Sequence, residues 1–265
     1  EQAAAHQGAV LSPVNFRNME KHLNAAKHER DENAANTEIL KEVAKAKAYL
    51  KRTDATIKVA QEVIPTVIEA RRAAIAADAP DFDLKGLEAA DKKLKSVTED
   101  LEENDKAPAL KHRQDLQRDY AAVELKALET STTGPALHLK DRALREGAKK
   151  HAPRTLGQLE SKIKEASNYV ALNIRNRAAL HKLEASLASD AKRLLQITRD
   201  SKALNATDGE AIVLEKEASK ERLASESAEL KATEKELKKA TTELEATEKR
   251  EAELAVTKEF QDRVK

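Results

Sequence analysis

Hydrophobic positions recur along this chain at intervals of three and four residues, the pattern of helices that bury one face. From Asn36 the pattern settles into heptads. Asn36, Val43, Leu50, Ile57, Ile64 and Arg71 hold one position of the seam, and Ile39, Ala46, Thr53, Ala60, Val67 and Ala74 hold the other. Larger residues in the first row face smaller ones in the second, which permits close helix approach without aromatic filling. Ser12-Pro13 supplies an N-cap and a proline at the first helical position, and Ala79-Pro80 stops the run. The spacing predicts one helix over about 14–78, roughly 95 Å long at 1.5 Å per residue and kinked near Pro65.

The remaining pattern predicts three further helices. Asp81-Phe82-Asp83 reads as a turn with Asp83 as N-cap of a helix over 84–130, whose stripe is Leu87, Ala90, Leu94, Val97 and Leu101. Ala107-Pro108 kinks or splits it, and Leu116, Tyr120, Val123 and Ala127 resume the spacing. The polar run 130–133 before Gly134-Pro135 reads as a loop, and 131–154 as an irregular region with one short helix ended by Gly147 and Pro153. A helix over 155–204 follows, then one over 210–264 with Leu223, Leu230, Leu237 and Leu244 at strict heptad spacing. Thr233, Ala240 and Thr247 stand at the companion position. The expected architecture is all-α: an elongated antiparallel bundle of three to four long coiled-coil-like helices, one domain over 1–265, with the smaller irregular helical region. Short connections place the turns at 78–84 and 204–210 at one end. A three-helix rod in which 84–150 forms a separate head is the rival arrangement.

Composition narrows the function classes. Only 2% of residues are aromatic against 36% charged, with no Cys and no Trp, so sandwiches, barrels and α/β enzymes are not expected. Lys and Arg (48) balance Asp and Glu (47), and three Tyr and three Phe make no stacking platform, so no nucleic-acid partner is expected. No window carries the run of apolar residues that a spanning helix needs. The opening Glu1 reads as a processed or trimmed start, and the helical pattern reaching Lys265 suggests removed sequence downstream.

Constellations that would carry chemistry are missing from the pattern. None of the seven histidines follows a Glu at the spacing of a di-iron bundle, and His28-Glu29 lacks the second His of a zincin helix. The six glycines stand alone, with neither a phosphate loop nor a nucleophile elbow. No catalytic, cofactor-binding or metal residue is therefore expected, and no cofactor. Asn36 and Arg71 in the apolar seam read as register control. Tyr49, Tyr120 and Tyr169 read as core or boundary residues with wet hydroxyls. Phe82, between two Asp in a turn, reads as a cap over the bundle end or a recognition residue. Asn205 heads the sequon Asn205-Ala206-Thr207 in an expected loop, and Thr132 and Thr133 sit in the expected 130–135 loop, so all three are candidate glycosylation positions.

A Cys-free chain of this size, rich in Glu and Ala, opening Glu1-Gln2-Ala3-Ala4-Ala5-His6 and built of long coiled helices, resembles the glutamic acid/alanine-rich proteins of the African trypanosome insect-stage surface coat. The resemblance spans the whole chain and rests on composition, length and helical pattern. It implies secretion, a C-terminal glycosylphosphatidylinositol anchor on the extracellular face of the plasma membrane, and a bundle related to variant surface glycoproteins and the haptoglobin–haemoglobin receptor. Those relatives carry disulfides and this chain has no Cys, so no functional residue is carried over. The expected function is a non-enzymatic coat component that shields a parasite membrane. Its partners would be neighbouring copies in the coat, with membrane contact only through the lipid anchor. Asp81, Phe82, Asp83, Asp208 and Gly209 would form the exposed tip. The alternatives are a receptor capturing a host or vector protein at that tip, and an intracellular coiled-coil scaffold.

Overall fold

The computed structural model describes residues 2–204 and 208–263, with side chains described for 7–204 and 208–243. Among the described residues there are eleven helices and no strand, packed as an all-α helical bundle. The chain divides into two compact units, Glu1–Arg142 with Arg154–Arg193 and Ala143–Pro153 with Leu194–Lys265. Each is described by itself.

The long helix expected over 14–78 is instead interrupted. In the first unit α1 (Gln2–Leu11) precedes α2 (Pro13–Asp31), α3 (Asn36–Val63) and α4 (Pro65–Ala76). Asn33 adopts a left-handed backbone with φ 57°, and the Ala34 N–H reaches back to the Glu29 carbonyl, closing α2 as a short polar side chain permits. The chain then reverses, and α3 packs along α2 as an antiparallel hairpin. His22 Nδ1 lies 2.6 Å from Glu42 Oε2 across that hairpin, and the His22 and Tyr49 rings stack at 5.5 Å. At Ile64 the helix breaks again, because Pro65 at the first position of α4 has no N–H to continue the ladder.

Two further hairpins build the core. The four-residue α5 (Ala79–Phe82) joins α4 to α6 (Leu84–Glu102), and α7 (Ala107–Glu146) folds back along α6. The return is made at Asn104, φ 68°, while the Asp105 carboxylate accepts the Ala107 N–H at 3.0 Å. The stripe Leu87, Ala90, Leu94, Val97, Leu101 of α6 is buried throughout, against Val67, Ala74, Leu116, Tyr120 and Val123. α9 (Pro153–Leu172) and α10 (Arg177–Leu204) form the next hairpin, with Lys162 paired to Asp190 at 2.6 Å. Its turn is fastened by the buried Glu124 of α7, which accepts a 2.9 Å hydrogen bond from Arg175. The helix expected over 155–204 is thus broken at 173–176.

The loop expected at 130–135 does not form. Residues 130–135 continue α7 as helix with Pro135 inside it. Thr130 and Thr133 hydroxyls donate to the carbonyls of Lys126 and Glu129 at 2.8 and 2.7 Å, so residues that favour turns satisfy themselves within the helix. Leu128, Thr132 and Ala136, one turn apart, are buried together, and that packing outweighs the proline. The irregular stretch shrinks to Gly147, φ 104°, α8 (Ala148–His151) and Ala152.

In the second unit Ala143, Ala148, Ala152, Leu194, Ile197 and Thr198 are buried, and Arg199 clasps Glu146 with hydrogen bonds of 2.6 and 2.7 Å. α11 (Gly209–Arg263) starts where Gly209 lies against Ser201, so close that an added Cβ would meet the Ser201 carbonyl oxygen at 2.8 Å. From 218 to 243 every residue is exposed, including Leu223, Leu230 and Leu237 at 66, 61 and 70%. The expected heptad seam is uncovered there.

Candidate functional site

The hairpin formed by α4, α5 and α6 gathers most of the chemistry in the first unit. Asp78, left-handed at φ 57°, turns the chain out of α4, and Asp83 stands at the N-cap of α6 as its position in the sequence implies. The Asp83 carboxylate bends over Gly86, where an added Cβ would push the carboxylate aside. Asp81 is exposed, Phe82 is 40% exposed, and Asp83 is half-buried. The inner side of Phe82 lines a hollow of about 380 Å³ together with Leu128, Pro135 and Leu180. Phe82 is therefore both a lid on this end of the unit and a partly open aromatic face.

About two turns of α6 beyond the hairpin bend lies a buried polar cluster. Arg71 Nε and Nη2 each donate to Asp91 at 2.8 Å, and Tyr120 donates its hydroxyl to Asp91 Oδ1 at 2.6 Å. Burial pulls the Arg71 guanidinium toward losing its proton, but the hydrogen bonds and charge of Asp91 more than offset this and hold it above its ordinary range. Burial, then the neighbouring Asp91 carboxylate, pushes the Tyr120 hydroxyl far above the usual phenol range. The cluster is thus a fixed charge pair with a neutral phenol as third member, suited to holding α4, α6 and α7 in register. Arg71 fulfils the register role read from its seam position, whereas Asn36 is exposed at the start of α3. The Tyr120 side chain, expected to keep a wet hydroxyl, is buried and donates that hydroxyl to Asp91, and Tyr169 is exposed on α9.

Between α4 and α6 an open groove of about 1060 Å³ runs over this cluster. Ile75, Pro80 and Leu84 line its end nearest α5, and Arg72, Lys92 and Lys95 line the stretch farther along. On the α2–α3 hairpin a second polar group forms, where Lys45 and then His22, both hydrogen-bonded to Glu42, hold its carboxyl below the ordinary carboxylate range. Arg52 lies over the Tyr49 ring at 5.3 Å.

The other expected site residues fall apart from this hairpin. Asp208 is exposed in the second unit, but Gly209 is buried, because its missing Cβ lets α11 begin against Ser201. Asn205 lies outside the described residues. Thr132 and Thr133 are buried on α7, so the exposed loop that made them candidate glycosylation positions is replaced by a packed helical face.

No protein-family model, curated protein or solved structure matches the chain. Among the described residues no helix is long and apolar enough to cross a membrane.

Three residues that organise these sites carry no local signal. Asp91 is one more acid on a charged helix until Arg71 and Tyr120 reach it from other elements. Glu124 would read as solvated, yet it is buried beneath Arg175 and Arg177. Glu102, at the end of α6, accepts from Ser12 Oγ at 2.5 Å and from the Val14 and Asn15 N–H groups at 3.1 and 2.9 Å. Ser12 stands at the expected N-cap of α2, but the cap itself is this distant carboxylate. A full negative charge suits the unpaired N–H groups of a helix start.

Proposed function

We propose that the chain is a structural component of a cell-surface coat, a glycolipid-anchored helical protein that shields a parasite membrane and carries no catalytic activity. The observation that carries this reading is the chain's surface chemistry. Acids and bases are interspersed at nearly equal number, 47 against 48. A near-zero net charge lets like molecules stand side by side without long-range repulsion. The connections at 32–35, 103–106 and 173–176 are four residues each, which leaves proteases little extended chain to cut. The resemblance to glutamic acid/alanine-rich coat proteins supports the same reading from composition.

The test is treatment of intact cells with phosphatidylinositol-specific phospholipase C after labelling with a membrane-impermeant biotin reagent. The labelled protein is expected in the supernatant, in amounts comparable to the most abundant surface species. Unlabelled protein recovered with the cytosol would overturn the proposal. A second reading, an intracellular coiled-coil scaffold, is favoured by the uncovered leucines of α11, and the cytosolic outcome is the one it requires.

A further inference from the structure

The groove between α4 and α6 has a polarity gradient that neither a coat role nor a packing role explains. At the α5 end its wall is apolar, and Ile75 and Leu84 are 37 and 50% exposed to it and to solvent. Farther along α6 come Lys92 and Lys95, with Arg72 opposite on α4. Among the described residues none of these three cations has a hydrogen-bond or ion-pair partner. The other charged groups of the groove are largely accounted for. Arg71 and Asp91 neutralise one another, and Glu99 faces Arg17 at 4.0 Å. Glu88, together with Glu99 at the far end of that long and exposed contact, opposes the three cations, which still outnumber them.

On a surface this charged, a hollow that is mostly apolar and large enough for a small molecule is an exception, and such hollows mark binding sites. From Leu84 to Lys95 is about 16 Å along the helix axis at 1.5 Å per residue, the reach of a long alkyl chain. Apolar wall at one end and unpaired cations at the other match a ligand with a hydrocarbon tail and one anionic head.

We propose that this groove binds a single long-chain fatty acid, its tail along Ile75, Pro80 and Leu84 and its carboxylate among Arg72, Lys92 and Lys95. The tail gains by leaving water, while the head stays near solvent on charges that are already there. Arg71 is not the anchor, since its Nε and Nη2 are committed to Asp91. The proposal is independent of where the protein resides in the cell.

The test uses the full chain and monomeric oleate below its micellar concentration, followed by calorimetry and by displacement of a fluorescent polyene fatty acid. Saturable binding of one oleate per chain is expected. Leu84→Glu, at a half-exposed position, is expected to weaken binding by at least about tenfold. The pair Lys92→Gln and Lys95→Gln is expected to weaken oleate by about tenfold while leaving the uncharged oleyl alcohol unchanged. Leu230→Glu on α11 is expected to change nothing. Circular dichroism establishes that each variant is folded, and for Leu84→Glu the second apolar variant Ile75→Gln stands in if it is not. Absent or non-saturable oleate binding, or equal binding by the folded Leu84→Glu and Ile75→Gln chains, would overturn the proposal. So would capture by phosphatidylglycerol vesicles with no uptake of monomeric oleate, which would make the cations a lipid-surface contact.

Discussion

Arg71 and Asp91, twenty residues apart on α4 and α6, meet through two parallel hydrogen bonds of 2.8 Å, with both side chains largely removed from solvent. A bidentate pair of this kind fixes direction as well as distance, so α4 cannot slide along α6 without breaking it. Losing one member strands a buried charge. Asp91→Ala is expected to destabilise the protein by about 3 kcal/mol, and the double variant Arg71→Met with Asp91→Leu to recover much of that. Urea denaturation of the three chains checks this, and a single variant as stable as the parent would show the pair to be idle.

Glu102 does for α2 what a local cap does elsewhere. Glu102→Ala is expected to cost about 1–2 kcal/mol, because two backbone N–H groups and the Ser12 hydroxyl lose their acceptor together. Ser12→Ala should cost less, since the carboxylate still reaches the two N–H groups. The ranking in thermal unfolding decides it, and Ser12→Ala as the more damaging change would return the cap to the serine.

Glu42 gives the α2–α3 hairpin a pH dependence of known sign. Its carboxyl is held below the ordinary range by Lys45 and His22, so its contribution is present above the unfolded carboxylate range and is lost as pH falls through the lowered folded value. The stability gap between the parent and Glu42→Gln is therefore expected to be widest near neutrality and to close in acid. Paired denaturation curves from neutral to strongly acidic pH measure it. A gap that widens on acidification would mean that the hydrogen bonds stabilise the protonated form.

The leucines of α11 should be energetically silent in an isolated chain. Leu237→Glu is expected to change stability by less than about 0.5 kcal/mol, whereas Leu94→Ala, from the fully buried α6 stripe, should cost about 2–5 kcal/mol. If Leu237→Glu lowers the midpoint, and does so more at high protein concentration, a second copy covers the stripe.

The helical class was legible because periodicity is a local property. Ala46, Thr53, Ala60, Val67 and Ala74 were expected to share a row, and all five are buried. The α6 stripe is buried without exception. What the pattern hid were the reversals. Asn33 and Asn104 sit in polar runs that extend a helix as readily as they end one, and the left-handed backbone there is chosen by the packing of the returning helix. The 130–135 segment misled in the opposite direction, since its hydroxyls found acceptors inside α7. Of the sites, Arg71 was visible as a charge in an apolar row, but its partner was not. Ion pairs and caps made between distant segments leave no spacing to read.

The buried rows of Ala, with Ala60, Ala74, Ala79 and Ala127 wholly enclosed, divide the molecule's freedom to vary. Outward positions accept almost any polar exchange at costs within about 0.5 kcal/mol, while a single added methylene at a closed alanine seam forces two helices apart at about 1–3 kcal/mol. Such a protein can replace nearly every outward side chain and keep its backbone. Its scaffold is guarded by the smallest side chains it has.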